Sequence, residues 1–315
     1  MDSLSQFVLG AAVGEAVLGR KIGNKAIMWG GIAGTIPDLD VIASPLMSEV
    51  DALAFHRGIS HSISFSVLAA ILFGWLLYKL YDRPSTNVDP PSLRSWQSMF
   101  FLAFITHILL DCFTMYGTQV FAPFSDYRLA FSTISVADPV YTLPFLICLI
   151  IAATRRKENS WRVYWNYAGI VISSMYLIFT IYNKQKVQTI IEKQLTQQEI
   201  DYNRMILGPT ILNNILWSAT IDADSCYYQG QYSLFDSSDI QFSRIEKNHD
   251  LLGADNYDRT LNILRWFTAG YYNVIYRQDG KLQLNDLRYG TYRSTANSEN
   301  DYVFRFVLTR SQGQY

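Results

Sequence analysis

The stretch GISHSISFSVLAAILFGWLLY, at residues 58–78, decides the class of this protein because it runs for 21 residues without Asp, Glu, Lys or Arg. About 20 mostly apolar residues suffice for a helix to cross the hydrocarbon core of a bilayer. Arg57 and Lys79 bracket the stretch, so the charges begin where an apolar helix would leave the membrane. We therefore predict a membrane span at about residues 61–80.

Similar apolar segments extend over most of the first 183 residues. By the same length criterion we predict three further spans, at about residues 97–116, 138–154 and 164–183. Segments 4–18 and 26–43 are each compatible with a full span, a re-entrant segment or a helix packed inside the bundle. Both contain two glycines at the small-xxx-small spacing that permits close helix contact, namely Gly10 with Gly14 and Gly30 with Gly34.

The content of charged residues changes after residue 183. Asp, Glu, Lys and Arg account for 24 of residues 1–183 and for 29 of the 132 residues that follow. Only the second fraction is ordinary for a water-soluble domain. Residues 184–203 are polar and compatible with a helix that continues the last span. We predict an α-helical polytopic membrane domain at residues 1–183, followed by a soluble α+β domain at residues 184–315.

The C-terminal part shows short runs rich in β-branched and aromatic residues, which are typical of strands. They predict strands at residues 215–221, 226–234, 240–245, 271–277, 282–287 and 302–308. Asp279–Gly280 has the composition of a two-residue hairpin turn. Apolar residues at helical spacing predict one helix over residues 255–269.

The distribution of basic residues predicts the orientation. If segment 26–43 crosses once and the four spans follow in turn, one face carries ten basic residues: Arg20, Lys21, Lys25, Lys79, Arg83, Arg94, Arg155, Arg156, Lys157 and Arg162. The other face carries four: Arg57, Arg128, Lys184 and Lys186. Cytoplasmic loops are enriched in Lys and Arg, so the C-terminal domain should lie outside the cytoplasm. A net charge of −1 gives no electrostatic footprint for nucleic acid, and we expect the lipid bilayer as the surrounding partner.

Three of the four histidines lie in the membrane half, close in sequence to unusually placed carboxylates. An ionisable group inside a bilayer costs a few kcal/mol or more, and binding a cation removes this cost. The candidate ligands fall in three motifs: PDLD (Asp38, Asp40), HRGISHS (His56, His61) and THILLDCFT (His107, Asp111). The spacing of His107 and Asp111 places both on one helical face. The alternative is a His–Asp hydrogen bond that only joins two helices.

Under the predicted topology, five of these side chains lie toward the extracytoplasmic ends of their segments and His107 lies one turn deeper, so that all six could meet in one pocket. A mixed set of nitrogen and oxygen ligands suits transition metals better than Mg²⁺ or Ca²⁺. Six candidates exceed the three protein ligands of a mononuclear catalytic zinc site. We therefore expect one or two divalent ions, with Zn²⁺ first and Mn²⁺ or Fe²⁺ as alternatives.

Two further residues are candidates for a catalytic role. Arg57 could hold a phosphate or carboxylate group with two hydrogen bonds, although contact with a lipid headgroup is an equal alternative. Asp138 precedes Pro139 in the pattern of a helix N-cap, and it is also a candidate for a contact behind the metal ligands.

Several strings in this order resemble the YdjM-like family of membrane-bound proteins assigned as metal-dependent hydrolases. They are MDSLSQFVLGAAVGEAVLG, IAGTIPDLDV, HRGISHS, THILLDCFTMYGTQ and SVADPVYTLP, within residues 1–145. The resemblance implies a bacterial inner-membrane protein with a metal site built from the Asp and His residues of these motifs. Members have His near the position of Gln6, so we expect no ligand from the first segment here.

Two classes of function remain open. The first is a metal-dependent hydrolase that acts on an amphiphilic or lipid-linked substrate through activated water. The second is a non-catalytic membrane protein that transports or senses metal ions. Transport sites tend to lie near the midplane on broken helices of internal repeats, whereas these candidates cluster at one end and the sequence shows no repeat. We favour the hydrolase; the sequence identifies no protein partner.

Overall fold

The computed structural model describes residues 1–81, 90–253, 258–291 and 298–309. It divides into two compact units, Met1–Ser48 with Phe55–Thr180 and Glu49–Ala54 with Ile181–Tyr315. The short segment Glu49–Ala54 therefore belongs with the C-terminal unit, although it lies within the N-terminal half of the sequence. Arg83 and the first residues of the predicted helix at 255–269 lie outside the described residues.

The N-terminal half is helical. Its elements, in chain order, are α1 (Ser3–Ile22), α2 (Asn24–Thr35), a 3-10 helix (Pro37–Leu46), α3 (Glu49–Phe55), a 3-10 turn (Ile59–His61), α4 (Ile63–Tyr81), α5 (Leu93–Cys112), α6 (Pro139–Ala153) and α7 (Ser160–Gln197). Side-chain caps define several helix starts. Asp2 accepts hydrogen bonds from the first turn of α1, Ser92 accepts one from Ser95 of α5, and Asp138 caps α6.

Among the described residues, two helices are long and apolar enough to cross a membrane, α4 and α5. The pair formed by α2 and the 3-10 helix after it passes the same test together, with a bend of 45° between them. A break at this point fits Pro37, which cannot donate a backbone hydrogen bond. Large apolar side chains of α4, such as Leu68 at 69% exposure, face outward.

The two later predicted spans do not pass this test of length and composition, so they stay predictions. The predicted span 138–154 is a helix of only 15 residues, shorter than the roughly 20 residues that span a bilayer. The predicted span 164–183 is part of the 38-residue α7, which is not among the helices that pass the test. Asn166, Ser173, Thr180 and several tyrosines interrupt its apolar residues. The predicted polar continuation of this helix beyond residue 183 is confirmed, because α7 runs to Gln197.

Helices α1 and α2 form a tight hairpin. Gly23 turns the chain at φ +59°, and the four glycines predicted to permit close contact face each other across the helix pair. A Cβ atom on Gly10 or Gly14 would overlap backbone atoms of α2. The close approach therefore depends on glycine at these positions.

The C-terminal unit contains two antiparallel sheets. One has the strand order β1 (Arg204–Pro209), β2 (Leu216–Asp222), β3 (Cys226–Ser233) and β4 (Ser243–Glu246), and the other β5 (Tyr272–Tyr276), β6 (Leu282–Thr291) and β7 (Tyr302–Leu308). Helix α8 (Arg259–Phe267) lies between the two groups of strands in sequence. The predicted order of an apolar helical region and an α+β domain is confirmed.

The core of the first sheet includes the C-terminal part of α7. Val187, Ile191 and Leu195 are buried in one cluster with Trp217 and Ile221 of β2. The predicted hairpin between β5 and β6 is present, with Gly280 at φ +79°. Strand β1 was not predicted, and it pairs with β2 along its whole length.

Candidate metal centre

Helix α5 presents two of the candidate ligands on one face, as their spacing predicts. His107 Nε2 lies 3.5 Å from Asp111 Oδ2, and both side chains are fully buried. The other ring nitrogen, His107 Nδ1, lies 2.7 Å from the carbonyl oxygen of Gly34 and donates a hydrogen bond to it. This bond assigns a proton to Nδ1, so in the neutral ring the lone pair lies on Nε2 and points toward Asp111.

His61 is oriented in the same way by a different partner. Ser60 Oγ donates to Asp40 Oδ2 over 2.9 Å, and the same hydroxyl oxygen lies 2.9 Å from His61 Nδ1. Because the hydroxyl hydrogen is used on Asp40, Ser60 Oγ accepts the hydrogen bond from His61 Nδ1. The lone pair of His61 Nε2 consequently points to the side opposite Asp40. There it lies 3.2 Å from His107 Nε2.

Asp38 and Asp111 complete a cluster of four ligand atoms. Asp38 Oδ1 is 3.2 Å from His61 Nε2 and 3.6 Å from His107 Nε2, and Asp111 Oδ2 is 3.4 Å from His61 Nε2. All four atoms lie within 4.8 Å of one another. Four ligands about 2.05 Å from a tetrahedral Zn²⁺ ion lie roughly 3.3 Å apart. The spacing of the cluster therefore matches one such ion.

The arrangement of donors and acceptors also suits a cation. Both histidines use Nδ1–H elsewhere, so two imidazole lone pairs and two carboxylate oxygens face a common point. Among the described residues, Asp111 Oδ2 is a buried oxygen with no hydrogen-bond partner. A divalent ion would satisfy this oxygen and balance the two carboxylate charges. The residues thus fit a metal ion.

The second oxygen of Asp111 is held by three donors, of which sequence reasoning missed Gln6 and the Met1 nitrogen. Gln6 Nε2 donates to Asp111 Oδ1 over 3.0 Å, Arg57 Nη2 lies 3.2 Å from the same oxygen, and the Met1 nitrogen also contacts it. Gln6 therefore contacts the cluster as a support of Asp111. The histidine that the resembled family has near position 6 was the signal that could have identified Gln6.

Asp40 and His56 form a separate pair beside the cluster. Asp40 Oδ1 lies 2.9 Å from His56 Nδ1, and the His56 and His61 rings have centroids 5.8 Å apart. Asp38 and Asp40 were expected to meet in one pocket with the other candidates, but they approach opposite ring nitrogens of His61. The reason is that the PDLD segment is a 3-10 helix, in which residues two apart point in different directions.

The two candidates for a catalytic role have other environments. Arg57 is 5% exposed; besides Asp111 it donates to Thr114 Oγ1 over 2.7 Å. Asp138 lies outside the four-residue cluster, because it caps α6 through the backbone N–H of Val140 and accepts a hydrogen bond from the hydroxyl of Tyr176 over 2.8 Å.

Comparison with known proteins agrees with the motifs. The YdjM inner membrane protein family matches residues 1–187, which include every residue of the cluster. A Bacillus subtilis (strain 168) protein, the uncharacterized YfhP, is 27% identical over 241 residues, or 73% of this chain and 68% of the relative. No solved structure matches the chain. The family match confirms the predicted resemblance: the chain belongs to the YdjM inner membrane protein family.

Proposed function

We propose that this protein binds one divalent transition-metal ion between Asp38, His61, His107 and Asp111, and that it is a membrane-bound hydrolase. The observation that carries the proposal is the convergence of two imidazole lone pairs with two carboxylates around one point. The spacing of the ligand atoms favours Zn²⁺, with Mn²⁺ and Fe²⁺ as alternatives. When bound, such an ion acidifies water and polarises a carbonyl or phosphoryl group.

The residues around the cluster support a reaction with water. His56 Nδ1 donates to Asp40, which leaves His56 Nε2 to accept a proton. The His56 side chain is 25% exposed, and Asp38 is the most exposed of the four ligands at 20%. We assign proton transfer to His56 and orientation of its ring to Asp40. Access to the reacting atoms would be on the side of Asp38.

The surroundings of Asp38 favour an amphiphilic or lipid-linked substrate. The same 3-10 helix exposes four large apolar side chains, each at least half exposed: Leu39, Val41, Ile42 and Leu46. Contiguous exposed apolar surface next to a polar site is typical of contact with membranes or apolar ligands. The substrate's apolar chain would lie along this surface.

The proposed location is the bacterial inner membrane, which the chain crosses several times. Membership of an inner membrane protein family supports the compartment. The excess of Lys and Arg on one predicted face supports a C-terminal domain outside the cytoplasm.

A second candidate function is supported by the number of ligands. Four protein ligands close a structural zinc site, whereas catalytic sites keep a position open. A protein that transports or senses metal ions would bind the ion with these residues and have no hydrolytic activity.

Metal content and turnover measured together test the proposal. We expect about one Zn²⁺ per chain in the purified wild type, and loss of metal in His107→Ala and Asp111→Asn, since each removes a ligand. Asp126→Asn, a change of the same type outside the cluster, should keep the metal. Lipid extracts incubated with wild type should show a hydrolysed species that is missing with the ligand variants. Metal binding without any hydrolysed species would favour the second candidate, and full metal content in both ligand variants would contradict the site.

A further inference from the structure

Two arginine side chains lie against one aromatic ring next to the metal centre. The guanidinium carbon of Arg57 is 4.9 Å from the centroid of the Tyr116 ring, and that of Arg128 is 4.7 Å from it. The His56 ring centroid lies 5.3 Å from the same ring. Because Arg57 also contacts Asp111, this positive charge directly adjoins the four-residue cluster.

Backbone hydrogen bonds hold the two arginines beside Tyr116. The N–H of Gln119 donates to the carbonyl of Arg57 over 3.0 Å, and Thr118 exchanges two backbone hydrogen bonds with Leu129, of 3.1 and 3.0 Å. Backbone hydrogen bonds thus join the segment that follows Tyr116 to Arg57 on one side and to Leu129, the residue after Arg128, on the other. The fold therefore maintains two like charges near one ring.

Gly117 and Arg57 show how this geometry is reached. Gly117 has φ +85°, and the Arg128 side chain packs against it. A Cβ atom added at Gly117 would lie 3.1 Å from Arg128 Cβ. Arg57 itself has φ +57°, which is uncommon for a residue with a side chain and is concentrated at functional sites. Among the described residues, Arg57 Nε is a buried donor without a hydrogen-bond partner.

We propose that Arg57 and Arg128 bind a phosphate group, so that the substrate of the proposed hydrolase is a phosphate ester. This inference rests on the proposed function. A guanidinium binds phosphate oxygens with two parallel hydrogen bonds, and a buried donor without a partner gains from such an acceptor. A carboxylate has only two oxygens, whereas the three terminal oxygens of a phosphate ester can engage two guanidiniums and a cation together.

The reaction is hydrolysis of the phosphate ester bond. The oxygen of a water molecule joins phosphorus, the bond between phosphorus and the ester oxygen breaks, and the leaving oxygen takes a proton from that water. The products are an alcohol and inorganic phosphate. No oxidant or further reactant is needed.

Binding of inorganic phosphate to the zinc-loaded, full-length protein tests the inference by calorimetry. We expect Arg128→Gln to weaken binding roughly tenfold or more, because a charge-assisted contact is lost. Arg94→Gln removes an equal charge at the N-terminal end of α5, opposite the end that carries His107 and Asp111. This variant should leave phosphate binding unchanged. Arg128→Lys keeps the positive charge but loses the planar guanidinium, so we expect weaker phosphate binding in this variant too. It replaces Arg128→Gln as the test if the glutamine variant does not fold.

The outcomes separate this inference from the proposed function. Metal content, measured on the same samples, reports on the metal site and should be equal in wild type and all three arginine variants. Equal phosphate affinity in wild type, Arg128→Gln and Arg128→Lys, or no binding by the zinc-loaded wild type, would overturn the phosphate assignment while leaving the metal site intact.

The source of the phosphate is resolved by two substrates. Phosphate release from nanodiscs of phosphatidylcholine with phosphatidic acid would identify a lipid headgroup, and release from glycerol 3-phosphate would identify a soluble ester. Both releases should fall in Arg128→Gln. Hydrolysis of a neutral ester lipid with no phosphate release from either substrate would overturn the inference.

Discussion

Asp111 illustrates how one side chain is divided between two tasks. Its Oδ1 accepts from Gln6 and contacts the Arg57 guanidinium, whereas its Oδ2 faces the two histidines. The first set of contacts fixes the carboxylate plane, and the second leaves Oδ2 facing the cluster as a candidate ligand atom. Residues that orient a ligand in this way usually affect metal affinity nearly as much as the ligands do.

Ser60→Ala should weaken metal binding by about 10- to 100-fold, the range found for partners that orient a ligand. The hydroxyl links His61 Nδ1 to Asp40, so its loss frees the ring to rotate. Competition with a chromogenic chelator measures the affinity. Ser64→Ala, a serine on the first turn of α4, is the matched control and should bind as wild type does. An unchanged affinity in Ser60→Ala would show that Asp40 alone orients the ring.

At the scale of elements, the glycine-rich contact of α1 and α2 positions the metal centre. Gly34 belongs to that contact, and its carbonyl oxygen accepts the hydrogen bond from His107 Nδ1. On the other side of the pair, Gln6 of α1 reaches Asp111. Close packing of this hairpin therefore brings both supports to the one face of α5 that carries the ligands.

Arg162→Met should destabilise the protein by about 3–5 kcal/mol, because it leaves the Glu15 carboxylate buried without its partner. Arg162 Nε lies 2.6 Å from Glu15 Oε1, and both side chains are 2% exposed. Unfolding in detergent, followed by circular dichroism, measures the change. Arg94→Gln, at an exposed site, is the control for loss of one arginine.

The double variant Glu15→Met/Arg162→Met shows whether an unpaired charge or lost packing causes the loss of stability in Arg162→Met. If the unpaired charge causes the loss, the double variant should regain most of the stability. A double variant as unstable as Arg162→Met would instead assign the loss to packing and to the hydrogen bonds that Arg162 makes with Asn24 and the Arg155 carbonyl.

In the C-terminal domain, burial lowers the pKa of His249, which stacks on Tyr272 at 4.1 Å between ring centroids. The unfolded chain therefore binds this proton at a higher pH than the folded chain does. Stability is unaffected above the unfolded pKa of about 6.5 and decreases as pH falls below it. We expect the advantage of wild type over His249→Gln in thermal unfolding to shrink from pH 7.5 to pH 5. An advantage that is constant or grows would contradict this.

At the scale of the whole molecule, the proposed topology has a direct test. Gln231→Cys places a thiol at an exposed position of β3, and the three native cysteines are buried, so background labelling should be low. We expect a membrane-impermeant maleimide to label this thiol in spheroplasts, because the domain is proposed to lie outside the cytoplasm. Labelling only after lysis would reverse the orientation.

Much of the fold follows from local patterns. Charge-free runs predicted α4 and α5, and short runs rich in β-branched and aromatic residues predicted six of the strands of the C-terminal domain. Strand β1 was missed because Arg204–Pro209 contains glycine and proline, which are depleted in strands, and its pairing with β2 overrides that weak preference. The spans predicted at α6 and α7 stay predictions, because α6 is short and polar residues interrupt α7, so neither helix passes the test that α4 and α5 pass.

The sequence by itself determined which residues are candidates for a site: His and Asp are costly in an apolar helical region, so their presence there indicates one. It also determined the shared face of His107 and Asp111, since helical spacing is local. Only the tertiary structure decided that Asp38, His61, His107 and Asp111 form one cluster while Asp40 and His56 pair beside it. That division depends on the 3-10 conformation of PDLD and on contacts between residues far apart in the chain, which spacing along the sequence does not encode.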